Sequence, residues 1–293
     1  MKREKLKSYF MLIGAMLIFG SIGLFRRNLD ISSGVIAFAR GFLGGIFLLL
    51  FSAVNPKKQF RMPSKKNICY FGISGAIMGL NWIFLFEAYT YTTVATATMC
   101  YYMMPTIVIL LSPIIFKNKL SLHKLICAIV GLIGIGLISG FGSNIVINLN
   151  TFKGILYGLS AAVLYASVVI LNKHINTDDL LGRTTIQLFS AGIVLLPYLI
   201  LSGQIQDLSY VPSDLLLLLI MGIIHTGVAY LLYFASIHYL DANSIAILSY
   251  IDPVFALFIS VFIMEEPITR LGVLGTVLII FASAASELSP TTK

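Results

Sequence analysis

The sequence predicts an all-α integral membrane protein with ten transmembrane helices, arranged as two inverted five-helix repeats. Three observations lead to this prediction. Of the 293 residues, 58% are hydrophobic and 11% are charged, whereas a soluble domain carries roughly 25% charged residues. The chain contains ten separate apolar runs, and its two halves resemble each other. This composition excludes an ordinary cytosolic enzyme, a disordered regulator and a protein that reads nucleic acid.

Each apolar run is long enough to cross a membrane, because a hydrocarbon core roughly 30 Å thick needs about 20 apolar residues. The runs are continuously apolar and do not alternate, which favours helices over barrel strands. The loops between them are too short for a soluble domain, and the first run is predicted to be an uncleaved helix. The ten predicted spans are 8–26, 33–53, 68–87, 93–116, 121–140, 152–172, 183–201, 214–236, 243–263 and 268–286.

The charged residues predict how these spans are oriented. If the N-terminus is cytoplasmic, fifteen lysines and arginines fall in cytoplasmic segments and four in outer segments, while Arg40 lies inside a span. This distribution follows the positive-inside rule, so both termini are predicted to be cytoplasmic. The net charge of +8 is thereby explained by orientation, and no nucleic-acid partner is needed.

The two halves of the chain align when the sequence is shifted by 148 residues. The shift places Tyr102 on Tyr250 and Pro105 on Pro253, and the apolar runs divide into two sets of five. An odd number of spans in each copy forces the second copy to insert upside down. We therefore predict a first repeat at residues 1–145 and a second, inverted repeat at residues 146–293. Inverted repeats recur in secondary transporters, with the substrate site near the membrane midplane.

Several motifs occur in matching order in the two halves. Helix 2 contains Ala37-Phe-Ala-Arg40, and helices 4 and 9 each carry the tyrosine–proline segment. Glycine-rich helices follow Asn118-Lys-Leu-Ser121 and Glu266-Pro-Ile-Thr269, and helix 6 opens with Gly154-Ile-Leu-Tyr-Gly-Leu-Ser. In these features the whole chain resembles the EamA-type ten-helix transporters of the drug/metabolite transporter superfamily. One departure is Asn118, where that family more often has an acid.

The resemblance implies a secondary-active exporter or exchanger of small organic metabolites, such as amino acids or related compounds, in the plasma membrane. It also implies that helices 1–4 and 6–9 surround a central cavity, with helices 5 and 10 at the periphery. The sequence contains no phosphate-binding G-x-x-x-x-G-K-[ST] motif, which argues against an ATP-driven pump. The partners expected are a small-molecule substrate, the lipid bilayer and a coupling proton, and a homodimer through helix 5 or 10 is a further interpretation.

Three residues are candidates because an ionisable side chain inside a membrane is costly. Arg40 lies about 10 Å below the outer end of helix 2; it either binds an anionic group, pairs with an internal acid or extends to the interface. Asp252 in helix 9 and His225 in helix 8 lie near the midplane. We expect Asp252 to be the coupling or substrate-charge site, with His225 as its proton partner, or else to be a satisfied interior acid. Arg40 and Asp252 could instead form a structural pair.

Other candidates surround these charges. Ser249 shares a helix face with Asp252, and Trp82 belongs either to an interfacial aromatic belt or to the substrate path. Pro105 and Pro253 are expected to kink their helices, either beside a cavity or as plain structural bends. The neighbouring Tyr102 and Tyr250 are then candidates for the binding site. Glu265 and Glu266 are expected to be solvated ends of helix 9.

The sequence also offers a candidate for a second class of function, an intramembrane serine protease. Gly72-Ile-Ser-Gly resembles the G-x-S-G segment of rhomboid proteases, in which a serine pairs with a histidine on a later helix; here these would be Ser74 and His225. Ser74 lies near a helix end and His225 at mid-depth, which disfavours this alternative. The three cysteines form no C-x-x-C pattern, and no paired metal-ligand spacing occurs, so we expect no cofactor and no metal.

Overall fold

The computed structural model describes residues 2–55, 63–116, 122–138, 149–173, 179–208, 212–237 and 239–288. These residues form ten helices, several of them interrupted, and a short 3₁₀ helix, Gln204–Leu208. The helices are α1 (Lys2–Gly20 and Ile22–Arg27), α2 (Ser33–Val54), α3 (Lys65–Tyr91), α4 (Val94–Tyr101 and Met104–Phe116), α5 (Leu122–Ile138), α6 (Leu149–Lys173), α7 (Leu180–Leu201), α8 (Pro212–Gly222, Ile223–Val228 and Ala229–Ile237), α9 (Ala242–Ser249, Ile251–Phe258 and Ile259–Ile263) and α10 (Arg270–Leu288).

Eight of these helices are long and apolar enough to cross a membrane, and α5 and α10 contain shorter apolar stretches, Leu122–Ile138 and Arg270–Ala285. The all-helical membrane fold predicted from the sequence is therefore confirmed. The first-half motif Asn118-Lys-Leu-Ser121 lies outside the described residues.

The helix packing is symmetric between the two halves. α3 packs along α6, and the corresponding pair α8 and α1 also pack together; α4 contacts α6 as α9 contacts α1. α2 packs on its counterpart α7, and α5 packs on its counterpart α10. This pattern is expected of two repeats related by a two-fold axis, with α5 and α10 forming a separate pair beside the other eight helices. The boundary between residues 145 and 146 stays a prediction.

Helices α4 and α9 are interrupted at equivalent positions. α4 breaks at Tyr102–Met103, just before Pro105, and α9 breaks at Tyr250, just before Pro253. Proline lacks a backbone N–H and its ring clashes with the preceding turn, which disfavours a continuous helix at this point. The two breaks bring the rings of Tyr102 and Tyr250 to within 6.3 Å of each other, measured between centroids.

Glycines allow the halves to approach closely. A Cβ atom added at Gly79 of α3 would lie 2.8 Å from the carbonyl oxygen and 3.1 Å from the Cα atom of Ala191 in α7. Gly75, one turn earlier, meets the backbone of Gln187 in the same way, and Gly41 of α2 meets the backbone of Leu188. The Gly-x-x-x-Gly pattern of α3 therefore serves helix packing, because backbone atoms cannot move aside as a side chain can.

The variant Gly79→Ala is expected to destabilise the protein by about 1–3 kcal/mol, the usual effect of overpacking. The matched control is Gly136→Ala in α5, where an added Cβ would meet nothing within 4 Å. That variant should be neutral or stabilising by about 0.5–1 kcal/mol, because alanine is the better helix former. Thermal unfolding of both purified variants measures the difference. Equal melting temperatures would contradict the close α3–α7 contact.

Candidate functional site

Arg40 is a buried charge on α2. Its side chain is 4% exposed, and its Nε donates a hydrogen bond to the Thr226 hydroxyl at 3.1 Å. The guanidinium carbon lies 4.3 Å from the centroid of the Trp82 ring and 5.3 Å from that of Phe86. Cation–π contact of this kind is worth about 0.5–2 kcal/mol and does not neutralise the charge. Within the described residues Arg40 forms no ion pair with an acid, so the predicted Arg40–Asp252 pair is not present.

Trp82 faces the interior of the bundle and not lipid. It is 5% exposed, and its ring contacts the guanidinium group of Arg40. The sequence left this placement open, because Trp82 is close enough to the end of its helix for either position.

Asp252 lies in the first turn of the second segment of α9, directly after the break at Tyr250. Its Oδ2 accepts a hydrogen bond of 2.6 Å from the Tyr102 hydroxyl at the break in α4. A length of 2.5–2.7 Å is typical of a hydroxyl donating to a carboxylate. The two interrupted helices are thus joined at mid-depth by a tyrosine of one repeat and an acid of the other. Ser249 does not take part, since its hydroxyl donates to the Ile245 carbonyl of its own helix.

His225 occupies a π-helical turn of α8, Ile223–Val228, a distortion that is frequent at functional sites. Its Nε2 lies 3.0 Å from the Ser21 hydroxyl at the break in α1, and its ring contacts Phe25 edge to face. The Ser21 hydroxyl also donates to the Ile18 carbonyl, and Nδ1 of His225 faces the Ile220 carbonyl of its own helix. The structure thus places His225 with α1 and not in hydrogen-bond contact with Asp252.

Thr226, the residue after His225, connects His225 to the buried charge of Arg40. Thr226 donates its proton to the Met221 carbonyl and accepts from Arg40, so the same π-helical turn holds Arg40 in place. His225 is therefore a neighbour of the Arg40 site, which the sequence did not suggest.

The rhomboid-like alternative is not supported. The Ser74 hydroxyl donates to the Asn172 side chain at 3.1 Å and accepts from Gln187 at 2.7 Å. Ser74 is thus satisfied by a buried amide network between α3, α6 and α7, while His225 contacts Ser21. A serine nucleophile needs its base within hydrogen-bond reach, and this pair lacks that contact.

Tyrosine side chains occupy the region around Arg40 and Asp252. Tyr89 and Tyr101 pack in one cluster with Trp82 and Phe86, the rings that contact Arg40. The Tyr101 ring also lies 6.1 Å from the ring of Tyr102, which donates to Asp252. Tyr101 also stacks on Tyr165 of α6, with ring centroids 5.5 Å apart. Nothing in the sequence singled out Tyr165. Sequence spacing within one helix cannot show that aromatic residues from different helices meet.

A cavity of about 480 Å³ opens at the face of the bundle opposite to the start of α1. Tyr89 lines this cavity and packs in the same cluster as Trp82 and Phe86, the rings that contact Arg40. The buried Arg26 also lines this cavity. It stabilises the end of α1 by donating hydrogen bonds to the Leu29 carbonyl and to the Thr90 hydroxyl. We refer to this cavity as the vestibule; its lining residues are Arg26, Arg27, Leu29, Asp30, Ile31, Ser32, Tyr89 and Thr90.

Glu266 was expected to be a solvated end of helix 9, but the structure places it in contact with three helices. Its side chain is 11% exposed and pairs with Arg27 at 2.7 Å. Its other oxygen accepts from the backbone N–H of Val94, the first residue of α4, at 2.8 Å and from the Ser260 hydroxyl. A carboxylate is favourable at a helix N-terminus because the exposed N–H groups carry positive partial charge. Glu266 therefore contacts residues of α1, α4 and α9 beside the vestibule. These contacts give the acid of the Glu266-Pro-Ile-Thr269 motif a structural role.

Comparison with known proteins agrees with this architecture. The model of the EamA-like transporter family matches residues 6–140 and again residues 152–286. The uncharacterized transporter YxxF of Bacillus subtilis (strain 168) is 29% identical over 255 residues, covering 87% of this chain and 81% of that protein. An uncharacterized transporter of Archaeoglobus fulgidus is 24% identical over 264 residues, or 90% of each chain.

A solved crystal structure shares the fold, with a TM-score of 0.61 at 18% identity over 95% of both chains. At that identity the likeness supports the architecture alone. The two family matches cover most of the sequence and coincide with the two five-helix halves. The chain therefore belongs to the EamA-like transporter family, with two copies of the family's repeat.

Proposed function

We propose that this protein is a secondary-active transporter that exports or exchanges small zwitterionic metabolites, such as amino acids or related compounds. The observation that carries the proposal is the arrangement of its two interior charges. Arg40 is buried against aromatic rings with no acid partner among the described residues, and Asp252 is held separately by Tyr102.

An uncompensated charge in a membrane interior is costly and marks a functional site by default. Arg40 offers a planar guanidinium group that suits a carboxylate, and Asp252 offers a carboxylate that suits an ammonium group. Tyr89 and Tyr101 pack in the cluster whose ring Trp82 contacts Arg40, and Tyr101 contacts Tyr102, the hydrogen-bond donor to Asp252, so both charges belong to one region. A zwitterion could neutralise both charges at once, and the tyrosines would contact its apolar part.

The purified protein reconstituted into liposomes tests this proposal. Liposomes loaded with radiolabelled L-phenylalanine, L-leucine or L-threonine would be assayed for exchange against the same unlabelled compounds. Phenethylamine, which lacks the carboxylate of phenylalanine, is the matched control. We expect exchange of at least one amino acid and at least about tenfold slower exchange of the amine, since a lost charge-assisted hydrogen bond costs about 1.5–3 kcal/mol. Equal exchange of phenylalanine and phenethylamine would contradict the role given to Arg40.

The proposal also covers the coupling ion, the membrane in which the protein resides and its oligomeric state. We propose that a proton carried by Asp252 drives transport, that the protein resides in the plasma membrane, and that α5 or α10 supports a homodimer. What supports the coupling is the interior acid itself. The plasma membrane is proposed from the likeness to the EamA-like transporter family, and the dimer from the position of the α5–α10 pair beside the other helices.

We further propose that both termini are cytoplasmic. Asn55 follows α2 and Gly203 follows α7, and these two helices are counterparts in the two repeats. Reporter fusions should therefore place Asn55 inside and Gly203 outside the cell. Finding both sites on the same side would contradict the inverted insertion of the repeats. Finding Asn55 outside and Gly203 inside would contradict the cytoplasmic termini alone.

A further inference from the structure

Helix α2 begins at the wall of the vestibule without a side-chain cap. Its N-cap residue is Ser32, which lines the vestibule and whose side chain makes no capping hydrogen bond. The Ser32 hydroxyl is buried and has no hydrogen-bond partner. The first N–H groups of a helix carry positive partial charge and attract anions. The start of α2 therefore places positive partial charge and an unused hydroxyl group beside this cavity.

A buried arginine lies against the same helix terminus. Arg26 lines the vestibule and is 9% exposed. Its Nη2 donates to the hydroxyl of Ser33, the first residue of α2, at 3.2 Å and to that of Thr90 at 3.0 Å. Its Nε is buried without a hydrogen-bond partner, and within the described ranges of the chain Arg26 forms no ion pair. Hydroxyl partners fix the guanidinium group but leave its charge unbalanced, so the site favours an anion.

The other charged residues of the vestibule do not balance Arg26. Arg27 pairs with Glu266 at 2.7 Å. Asp30 is exposed, and an exposed carboxylate is screened by water, so it offsets little of a buried charge. The cavity volume of about 480 Å³ falls within the roughly 300–1,000 Å³ that is typical of small-molecule sites. The vestibule thus has the charge and the volume to hold a small organic anion.

Tyr89 connects the vestibule with the interior charge on α2. It lines the vestibule and packs in the cluster that contains Trp82 and Phe86, whose rings contact Arg40. Tyr89 therefore contacts both the vestibule and the aromatic rings around Arg40.

We propose that the vestibule is a peripheral binding site for the carboxylate group of a small organic anion, held by Arg26, by the Ser32 hydroxyl and by the N-terminus of α2. This inference rests on the proposed function only in identifying that anion with the transported substrate. In transport, the carboxylate would bind at Arg26 before or after it binds at Arg40, and it would pass Tyr89 between the two sites.

Photoaffinity labelling tests the site without any transport assay. The probe is 4-azidobenzoate, a small aromatic carboxylate that bonds to nearby residues on illumination. Mass spectrometry of the full-length protein in phospholipid-free detergent then identifies the labelled peptides. We expect labelling of residues 29–32 and 89–90, and benzoate at about ten times its half-competing concentration should lower this labelling about tenfold. Benzyl alcohol, the uncharged analogue, should not compete. Absence of labelling in the vestibule, or equal competition by benzyl alcohol, would overturn the proposal.

Variants of the two side chains show whether the labelling depends on them. Arg26→Gln keeps hydrogen-bond donors but removes the charge, and it should lower the competable labelling about tenfold or more. Arg26→Lys keeps the charge, so its labelling should lie between those of wild type and Arg26→Gln. Ser32→Ala removes a hydroxyl that caps nothing, so it should fold like wild type and bind benzoate several-fold more weakly. Arg270→Gln removes an exposed arginine and should change nothing. Wild-type labelling in Ser32→Ala and in whichever Arg26 variants fold would contradict the proposed site.

A repeat in the variant Arg40→Gln separates this inference from the proposed function. Labelling of the vestibule that persists in this variant supports the peripheral site even if Arg40 does not bind substrate. Labelling that disappears with the charge of Arg40 would refute the peripheral site, because Arg40 alone would then hold the anion.

The phosphate of a lipid headgroup carries similar chemistry, and the last arm distinguishes it from a free anion. Labelling is measured in phospholipid-free detergent and again after addition of phosphatidylglycerol. Competition by benzoate in the phospholipid-free sample supports a site for a small anion. Competition by phosphatidylglycerol alone would replace the proposal with a lipid-binding role for Arg26.

Discussion

The variant Arg40→Gln is expected to reduce transport of a zwitterionic substrate by about 10- to 100-fold, because a hydrogen bond to a charged group contributes about 1.5–3 kcal/mol. Glutamine retains a donor that can reach Thr226, which accepts from Arg40 at 3.1 Å, so the fold should survive. It removes the charge above Trp82. Initial rates of exchange in liposomes, normalised to reconstituted protein, measure the effect.

Two variants serve as controls for this result. Arg40→Lys keeps the charge but loses the planar, forked donor set, so its transport should lie between those of wild type and Arg40→Gln. Arg270→Gln removes an exposed arginine and should transport like wild type. If Arg40→Gln and Arg40→Lys both fold and transport at the wild-type rate, Arg40 does not bind substrate.

The global fold could be predicted from the sequence because membrane insertion is governed by length and hydropathy. A run of about 20 apolar residues has few stable alternatives to a transmembrane helix in lipid. The prolines at 105 and 253 likewise indicated where helices α4 and α9 break, since proline lacks the N–H that a continuous helix requires. Hydropathy and proline breaks are properties of short segments, and they can therefore be identified from consecutive residues in a single sequence.

The partners of the site residues could not be predicted in this way. Asp252 and His225 lie at similar depth, yet the structure joins Asp252 to Tyr102 and His225 to Ser21. Depth is a one-dimensional property, whereas contact depends on how each helix is rotated about its axis. That rotation is set by close packing between distant segments, such as Gly79 against Ala191.

The direction of a charged side chain near a helix end could not be predicted. Glu266 lies at the end of an apolar run, where a charged residue is expected to be solvated, and the sequence therefore offered a sufficient explanation. The structure shows Glu266 bound to Arg27 and to the first N–H group of α4. A charge in the first or last turn of a helix can point inward as easily as outward, and only the neighbouring helices decide between these directions.

The variant Asp252→Asn is expected to abolish the response of transport to a pH gradient and to slow exchange of substrate by about 10- to 100-fold, because it removes the carboxylate proposed to bind the ammonium group. A gradient of one pH unit supplies 1.36 kcal/mol for each coupled proton, which corresponds to about tenfold accumulation of substrate. Asparagine cannot carry that proton, yet its carbonyl oxygen can still accept the hydrogen bond that Tyr102 donates at 2.6 Å. The break in α9 and its contact with α4 should therefore persist, and loss of coupling can be separated from loss of folding.

The matched control is Asp241→Asn, at the exposed N-terminus of the same helix. Asp241 caps α9 by accepting from the Ser244 backbone N–H at 2.9 Å, and asparagine is an equally good cap, so this variant should retain both folding and coupling. The measurement is accumulation of labelled substrate in liposomes with and without an imposed gradient of one pH unit. Since Arg40 and Asp252 do not pair in the structure, the double variant Arg40→Gln with Asp252→Asn should recover no stability beyond the sum of the single changes. Gradient-driven accumulation in Asp252→Asn equal to that of wild type would show that Asp252 is a satisfied interior acid without a role in coupling.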